Sequence, residues 1–196
     1  LHAVIDEAHR NRLPVTAHAT YNDCIARVAK FGVDCIEHGG SMTDETIQTL
    51  IDKKLPIVTT FSALVIQADP KIARAFDIPQ WKIEERQRAV ADKSRFDGLV
   101  RAAKAGVPIV FGTDAGSPAV EHDRIVPELG FMVEVGVCPN NLDALRAITA
   151  RAALLNGFGD TLGTLEVGKL ADMIVVDGKP DIDLTALEKV EMTFID

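Results

Sequence analysis

Short apolar runs alternate with stretches of helical periodicity up to about residue 150, and this alternation constrains the fold most. A repeat of strand and helix is typical of a parallel sheet built from βα units. The predicted strands are residues 15–18, 33–38, 57–61 and 109–114. The predicted helices are residues 1–8, 23–31, 43–54, 83–105, 123–135 and 142–155. Residues 68–81 contain prolines and no clear period, so a long loop or lid is expected there.

The pattern changes near residue 157, where we expect a domain boundary. Residues 1–156 carry the βα units, whereas 157–196 carry β runs at 164–168, 171–177 and 190–196, separated by Gly and Pro turns. Four βα units are half of a (β/α)8 TIM barrel, which needs about 250 residues. We therefore predict an α/β chain: the C-terminal half of a TIM barrel, followed by part of a small β-sandwich domain.

Charge and composition exclude several partners. The 21 Lys and Arg residues against 29 Asp and Glu residues give a net charge of −8 with no basic cluster, so neither nucleic acid nor an anionic membrane is expected. The apolar runs are far shorter than the roughly 20 residues that span a bilayer, and no signal-peptide pattern is seen. Three cysteines without a C-x-x-C pair fit reduced thiols in a cytoplasmic protein.

Three of the four predicted strands end in residues that bind metal ions: His18, His38 and Asp114. Each alone could be a cap or a hydrogen-bonding group. Since barrel enzymes build their sites at the C-terminal ends of the strands, we expect these three side chains to converge. Two imidazoles and a carboxylate suit Zn²⁺ as the divalent metal, although Mn²⁺, Fe²⁺ and Co²⁺ accept the same ligands.

Strand alternation makes two finer predictions. Glu37 should face the opposite side of the sheet from His38, away from the barrel axis. Gly112 should lie on the side of Asp114, where its missing side chain would leave room for a ligand. The chain contains neither a G-x-G-x-x-G or P-loop fingerprint nor G-x-S-x-G, so metal chemistry is preferred over nucleotide binding or a serine nucleophile.

Four motifs resemble, in order, those of the amidohydrolase superfamily of metal-dependent hydrolases. They are VTAHA at 15–19, IEHG at 36–39, GTDAG at 112–116 and GTLEVGKLAD at 163–172. They are most similar to the branch that contains imidazolonepropionase-like and Xaa-Pro dipeptidase-like enzymes. The resemblance extends over essentially the whole chain, and the order of the four motifs makes it specific.

The resemblance implies roles for individual residues. His18 and His38 would bind one metal ion, while Asp114 would bind a second and handle the proton of the bridging hydroxide. The family's His-x-His pair and its metal-bridging lysine carbamate have no counterpart in these residues. A complete site with one or two ions would need the missing N-terminal half, so the isolated chain is expected to be inactive.

Two more residues are candidates for substrate binding. His122 resembles the loop histidine that follows the GTDAG motif in this branch, and its alternative is a solvated loop residue. Tyr21, the only tyrosine, follows His18 and could hydrogen-bond a substrate carboxylate or oxyanion, or pack on the rim of the site.

The sequence thus predicts a metal-dependent amidohydrolase that hydrolyses a C–N bond in a small amide or dipeptide through a metal-activated water. The alternatives are an imidazolone-type hydrolase that opens a cyclic amide, and a catalytically incomplete, truncated scaffold. Because a half barrel exposes strand edges and an apolar face, we also expect it to be covered by the missing half or by another copy in a homo-oligomer.

Overall fold

The computed structural model describes all residues, Leu1–Asp196, and its centre is a four-stranded parallel sheet. The strands are β1 (Thr16–Ala19), β2 (Cys35–His38), β3 (Ile57–Thr59) and β4 (Ile109–Phe111). They lie side by side in chain order, and every pairing is parallel. Parallel neighbours need long crossover connections, which the helices supply. The predicted α/β class with a parallel sheet is confirmed.

Ten α-helices surround and follow the sheet. They are α1 (His2–Arg10), α2 (Asn22–Phe31), α3 (Asp44–Asp52), α4 (Ser62–Ala68), α5 (Pro70–Ala75), α6 (Gln80–Ala91), α7 (Asp97–Ala105), α8 (Ile125–Glu134), α9 (Asn141–Ile148) and α10 (Ala150–Leu155). Local signals set several ends: Gly32 stops α2 in the left-handed conformation, and the Thr43 hydroxyl accepts the Thr46 N–H at the start of α3.

The loop predicted at residues 68–81 is wrong, because the end of α4, all of α5 and the start of α6 occupy it. Pro70 starts α5 rather than breaking a helix, and the Asp69 carboxylate caps it by accepting the N–H groups of Lys71 and Ile72. These short helices bury Ile66 and Ile83 in a small apolar cluster, so the segment is packed rather than open.

Two long predicted helices are interrupted. Residues 83–105 break at Asp92, whose side chain caps a 3-10 turn at Lys93–Phe96 before α7 begins. Residues 142–155 break at Thr149, where the backbone leaves helical geometry between α9 and α10. Helical periodicity continues through such breaks, which is why the sequence does not reveal them.

The main core lies between the sheet and the helices packed on it. It joins 28 buried residues, and its largest fully buried side chains include Ile25, Ile36, Leu50, Ile57 and Leu99. Burying one such side chain stabilises the fold by roughly 1.5–3 kcal/mol. This packing holds the strands rigidly, and with them the residues at their C-terminal ends.

The last 40 or so residues are mostly irregular and end in an antiparallel hairpin of β5 (Met173–Val176) and β6 (Val190–Phe194). The strand predicted at 164–168 is wrong, since that segment forms turns in which the Lys169 ammonium donates to the Thr164 hydroxyl. Leu184 joins the main core. The domain boundary near residue 157 stays a prediction.

None of the helices has the length and apolar character to cross a membrane.

Candidate active site

His18 and His38 lie side by side at the C-terminal edge of the sheet. Their ring centroids are 4.5 Å apart with the planes at 69°, His18 being exposed and His38 half-buried. The strand register does not place them opposite each other, because His18 pairs with Glu37 and His38 pairs with Ala19. Strand geometry alone therefore does not explain their contact.

The backbone of His38 explains it. His38 has φ of 72°, in the left-handed region, and the next amide, Gly39 N–H, bends back to the Glu37 carbonyl at 2.9 Å. The two-residue alternation of β2 ends there, so the His38 ring turns to the face that His18 occupies. A non-glycine residue in this conformation is uncommon and is typical of sites where surrounding contacts hold it in place.

The prediction that Glu37 faces away from this site is wrong. Glu37 accepts a hydrogen bond at 2.5 Å from the hydroxyl of Thr16, two residues before His18 and therefore on the same face. The expectation assumed that alternation continues to His38. Because it stops at Glu37, the glutamate and both histidines share one face of the sheet.

Thr60, just after β3, contacts the His38 ring through a hydrogen bond between its hydroxyl and Nδ1. This contact leaves Nε2 available and fixes the orientation of the ring. Burial lowers the pKa of His38, the neighbouring His18 lowers it further, and Asp114 and Glu37 oppose the change. The result favours neutral imidazole, which is the form that binds metal ions.

Asp114 lies three residues beyond the end of β4, in a tight turn with φ of 57°. Its carbonyl accepts the Ser117 N–H at 3.2 Å, and its carboxylate accepts the Ser117 hydroxyl at 3.4 Å. The carboxylate is otherwise exposed and lies near enough to His38 to affect its pKa. The structure thus brings together the three residues that the strand ends indicated.

The prediction that Gly112 leaves room for a ligand is wrong. A Cβ at this position would lie 2.4 Å from Cγ1 of Val58 and 3.1 Å from the Thr59 carbonyl oxygen. The glycine therefore lets β3 and β4 approach each other, and the Val58 side chain occupies the space.

An open cavity of about 470 Å³ lies over these residues, within the range of small-molecule sites. His18, His38 and Asp114 line it together with Tyr21, a residue that is 71% exposed at the rim. His122 is exposed in the turn before α8 and does not line this cavity.

The donor set fits part of a metal site. Two neighbouring imidazoles and a nearby carboxylate are suitable zinc ligands. No group of three or more His, Cys, Asp or Glu side chains is arranged to hold an ion by itself. These residue types suit metal binding, but the three alone do not form a complete site.

A buried carboxyl, Glu128 of α8, contacts Ser62, which lies in the chain between the cavity-lining residues Phe61 and Ala63, and it matches no motif. Its Oε2 accepts the Ser62 N–H at 2.5 Å and the Ser62 hydroxyl at 2.9 Å, whereas Oε1 has no partner. Burial raises its pKa to about 7, and the nearby polar groups of Phe61, Thr59 and Ser62 partly oppose this rise. The sequence offered one signal for a buried carboxyl here: Glu128 lies beside Leu129 among the apolar residues of α8.

Comparisons with known proteins agree on one family. The model of the amidohydrolase family matches residues 1–196. An uncharacterised protein of Mycobacterium tuberculosis is 35% identical over 138 residues, which cover 70% of this chain and 36% of that protein. An imidazolonepropionase of Syntrophobacter fumaroxidans is 31% identical over 87 residues, 44% of this chain and 20% of that enzyme.

Among solved structures, a Xaa-Pro dipeptidase with methionine bound in its active site superposes with a TM-score of 0.78 at 33% identity. The superposition covers 99% of this chain and 46% of the dipeptidase. The chain therefore spans less than half the length of each of these relatives.

Proposed function

Because this chain belongs to the amidohydrolase family, we propose that it carries part of the active site of a metal-dependent hydrolase that cleaves a C–N bond in a small amide or dipeptide. The observation that carries the proposal is the contact between His18 and His38, beside Asp114, at the C-terminal edge of a parallel sheet. In this proposal the sheet supplies four of the eight strands of a TIM barrel. Residues 157–196 contribute to a small β-sandwich domain.

His18 and His38 would hold one divalent ion, for which zinc is our first choice, and Asp114 would be a ligand of a second. A metal ion held by these residues would lower the pKa of a bound water to about 7 and would polarise the scissile carbonyl. The lowered pKa of His38 favours its neutral form, in which Nε2 is free to bind the ion. The hydrogen bond from Thr60 to Nδ1 would keep the ring in this orientation, with Nε2 toward the ion.

Asp114 would be the proton carrier of the reaction. Its carboxylate is exposed to the cavity and has one weak side-chain partner, the Ser117 hydroxyl at 3.4 Å. It can therefore accept the proton of the attacking water and pass it to the leaving nitrogen. Tyr21 at the rim would hydrogen-bond the substrate, and His122 would reach it only if its loop moved over the cavity.

A dipeptide is the favoured substrate. The Xaa-Pro dipeptidase is 33% identical to this chain over a superposition that covers 99% of it. Opening of a cyclic amide is the second candidate, since it uses the same bond type and the same activated water. The third candidate, a scaffold without activity, would apply if no further ligands completed the site.

The experiment is an assay of the complete protein on Xaa-Pro dipeptides, other dipeptides and an imidazolone substrate, before and after removal of metal. We expect dipeptide hydrolysis that is lost on chelation and restored by Zn²⁺. Ring opening alone would support the second candidate. A folded protein that binds metal but cleaves none of these substrates would contradict the proposal. The 196-residue chain alone is the matched control and should show no turnover.

A further inference from the structure

Two arginines line the cavity beside the histidines: Arg86 of α6 and Arg95 of the 3-10 turn. Asp114 is the one acidic residue in that lining, so the charged residues of the wall are two guanidinium groups and one carboxylate. The chain as a whole carries a net charge of −8. The cavity is therefore locally cationic in an acidic protein.

Arg86 is held in place by a buried amide. Its Nε donates at 3.3 Å to Oε1 of Gln67, and Gln67 in turn donates at 2.8 Å to the Pro118 carbonyl. Gln67 is 2% exposed, and the Arg86 side chain is 24% exposed. A carboxylate oxygen of the neighbouring Glu85 lies 3.7 Å from Nη1 of Arg86, which makes an ion pair but not a hydrogen bond. The terminal N–H groups of Arg86 thus have no hydrogen-bond acceptor in the structure.

Arg95, unlike Arg86, has no carboxylate within ion-pair distance. Its guanidinium lies 5.5 Å from the ring centroid of Phe96, which also lines the cavity. The neighbouring Lys93, by contrast, pairs with Glu134 at 2.7 Å. A guanidinium on an aromatic face keeps its N–H edge free for a further acceptor.

We propose that Arg86 and Arg95 bind a carboxylate of the substrate, and that the site selects amides that carry a carboxylate close to the scissile C–N bond. The free C-terminus of a dipeptide has this chemistry, which guanidinium groups bind through charged hydrogen bonds. This inference rests on the proposed function and narrows its substrate class.

The test compares a dipeptide with the same dipeptide amidated at its C-terminus, in the complete, metal-loaded protein. We expect wild type to prefer the free carboxylate. Arg86→Met and Arg95→Met should each raise KM for the free dipeptide by roughly 10- to 100-fold and leave the amidated one nearly unchanged, because each removes a charged hydrogen bond. Arg86→Lys should retain part of the preference.

Arg88→Met is the matched control, since Arg88 lies on the same helix but does not line this cavity. It should behave as wild type. If Arg86→Met does not fold because Gln67 loses its partner, the exposed Arg95 supplies the test. Equal KM values of wild type for the two substrates, or equal losses on both in the variants, would overturn the inference and leave the proposed function standing.

A binding measurement separates the two hypotheses without turnover. Calorimetry should show that wild type binds L-proline more tightly than L-prolinamide, and that Arg95→Met removes the difference. If this difference is present but no dipeptide is cleaved, the carboxylate site is supported and the proposed function fails. Equal affinities in wild type would overturn the carboxylate site.

Discussion

The imidazole rings of His18 and His38 lie 4.5 Å apart although the parallel register sets His38 beside Ala19. The left-handed backbone of His38 produces this contact, and the hydrogen bond between its Nδ1 and Thr60 helps to hold it. A backbone of this kind costs of the order of 1–3 kcal/mol and persists where its surroundings over-determine it. The candidate site therefore depends on residues of β1 and β2 and on the residue that follows β3.

Asp114→Asn in the complete enzyme should keep the fold and most of the metal binding, yet lower kcat by roughly 10²- to 10⁴-fold. The amide is nearly isosteric but cannot accept a proton from water. Steady-state rates and metal analysis check this. Asp123→Asn, an exposed aspartate of the same loop, is the control. Turnover near that of wild type in Asp114→Asn would remove Asp114 as the proton carrier.

Thr60→Val should weaken metal binding by roughly 10- to 100-fold in the complete protein, because the His38 ring loses the partner of its Nδ1. Thr60→Ser keeps the hydroxyl and should restore most of the affinity. Competition with a chromophoric chelator measures both. Equal affinities of Thr60→Val and wild type would show that the ring is oriented without Thr60.

Glu128 should make the protein less stable as pH rises. Its pKa is raised from 4.5 in the unfolded chain to about 7 in the fold, so the native state retains a proton that the unfolded state releases. The contribution of Glu128 to the free energy of unfolding is fully present below pH 4.5 and is lost progressively as the pH rises to about 7. Linkage gives a loss of about 3 kcal/mol in the free energy of unfolding.

Glu128→Gln should remove this dependence, because an amide does not ionise. Denaturant unfolding between pH 4 and about 8 measures it. Glu134→Gln is the control, since Glu134 lies on the same helix and its side chain is 54% exposed. The same pH slope in wild type and Glu128→Gln would assign the slope to other groups.

The 196-residue chain by itself should self-associate. The C-terminal region exposes apolar side chains that include Leu165, Val167, Phe194 and Ile195, each at least 45% exposed. Contiguous exposed apolar surface of this kind usually meets a partner or another part of the chain. Light scattering should give a mass that rises with concentration, and Ile195→Lys should reduce it.

Leu13→Lys is the control for that measurement, because Leu13 is 60% exposed but lies in the turn after α1, outside the C-terminal region. A mass equal to that of one chain at all concentrations would contradict the expected association.

Much of the architecture could be predicted from the sequence, because periodicity and turn residues act locally. The positions of the four strands, the capping of α2 by Gly32 and the candidates His18, His38 and Asp114 follow from such signals. The interrupted helices at Asp92 and Thr149 could not be predicted, since the apolar period continues through both breaks.

The sequence by itself determined the α/β class, the polar residues that lie near the C-terminal ends of the strands, and the family to which the motifs belong. Only the tertiary structure decided that Glu37 shares the face of His18, that Val58 fills the space at Gly112, and that Arg86 reaches the cavity. These features depend on one left-handed residue and on contacts between segments far apart in the chain. Neither leaves a periodic signal, because both arise only when the packed sheet and helices select one backbone conformation.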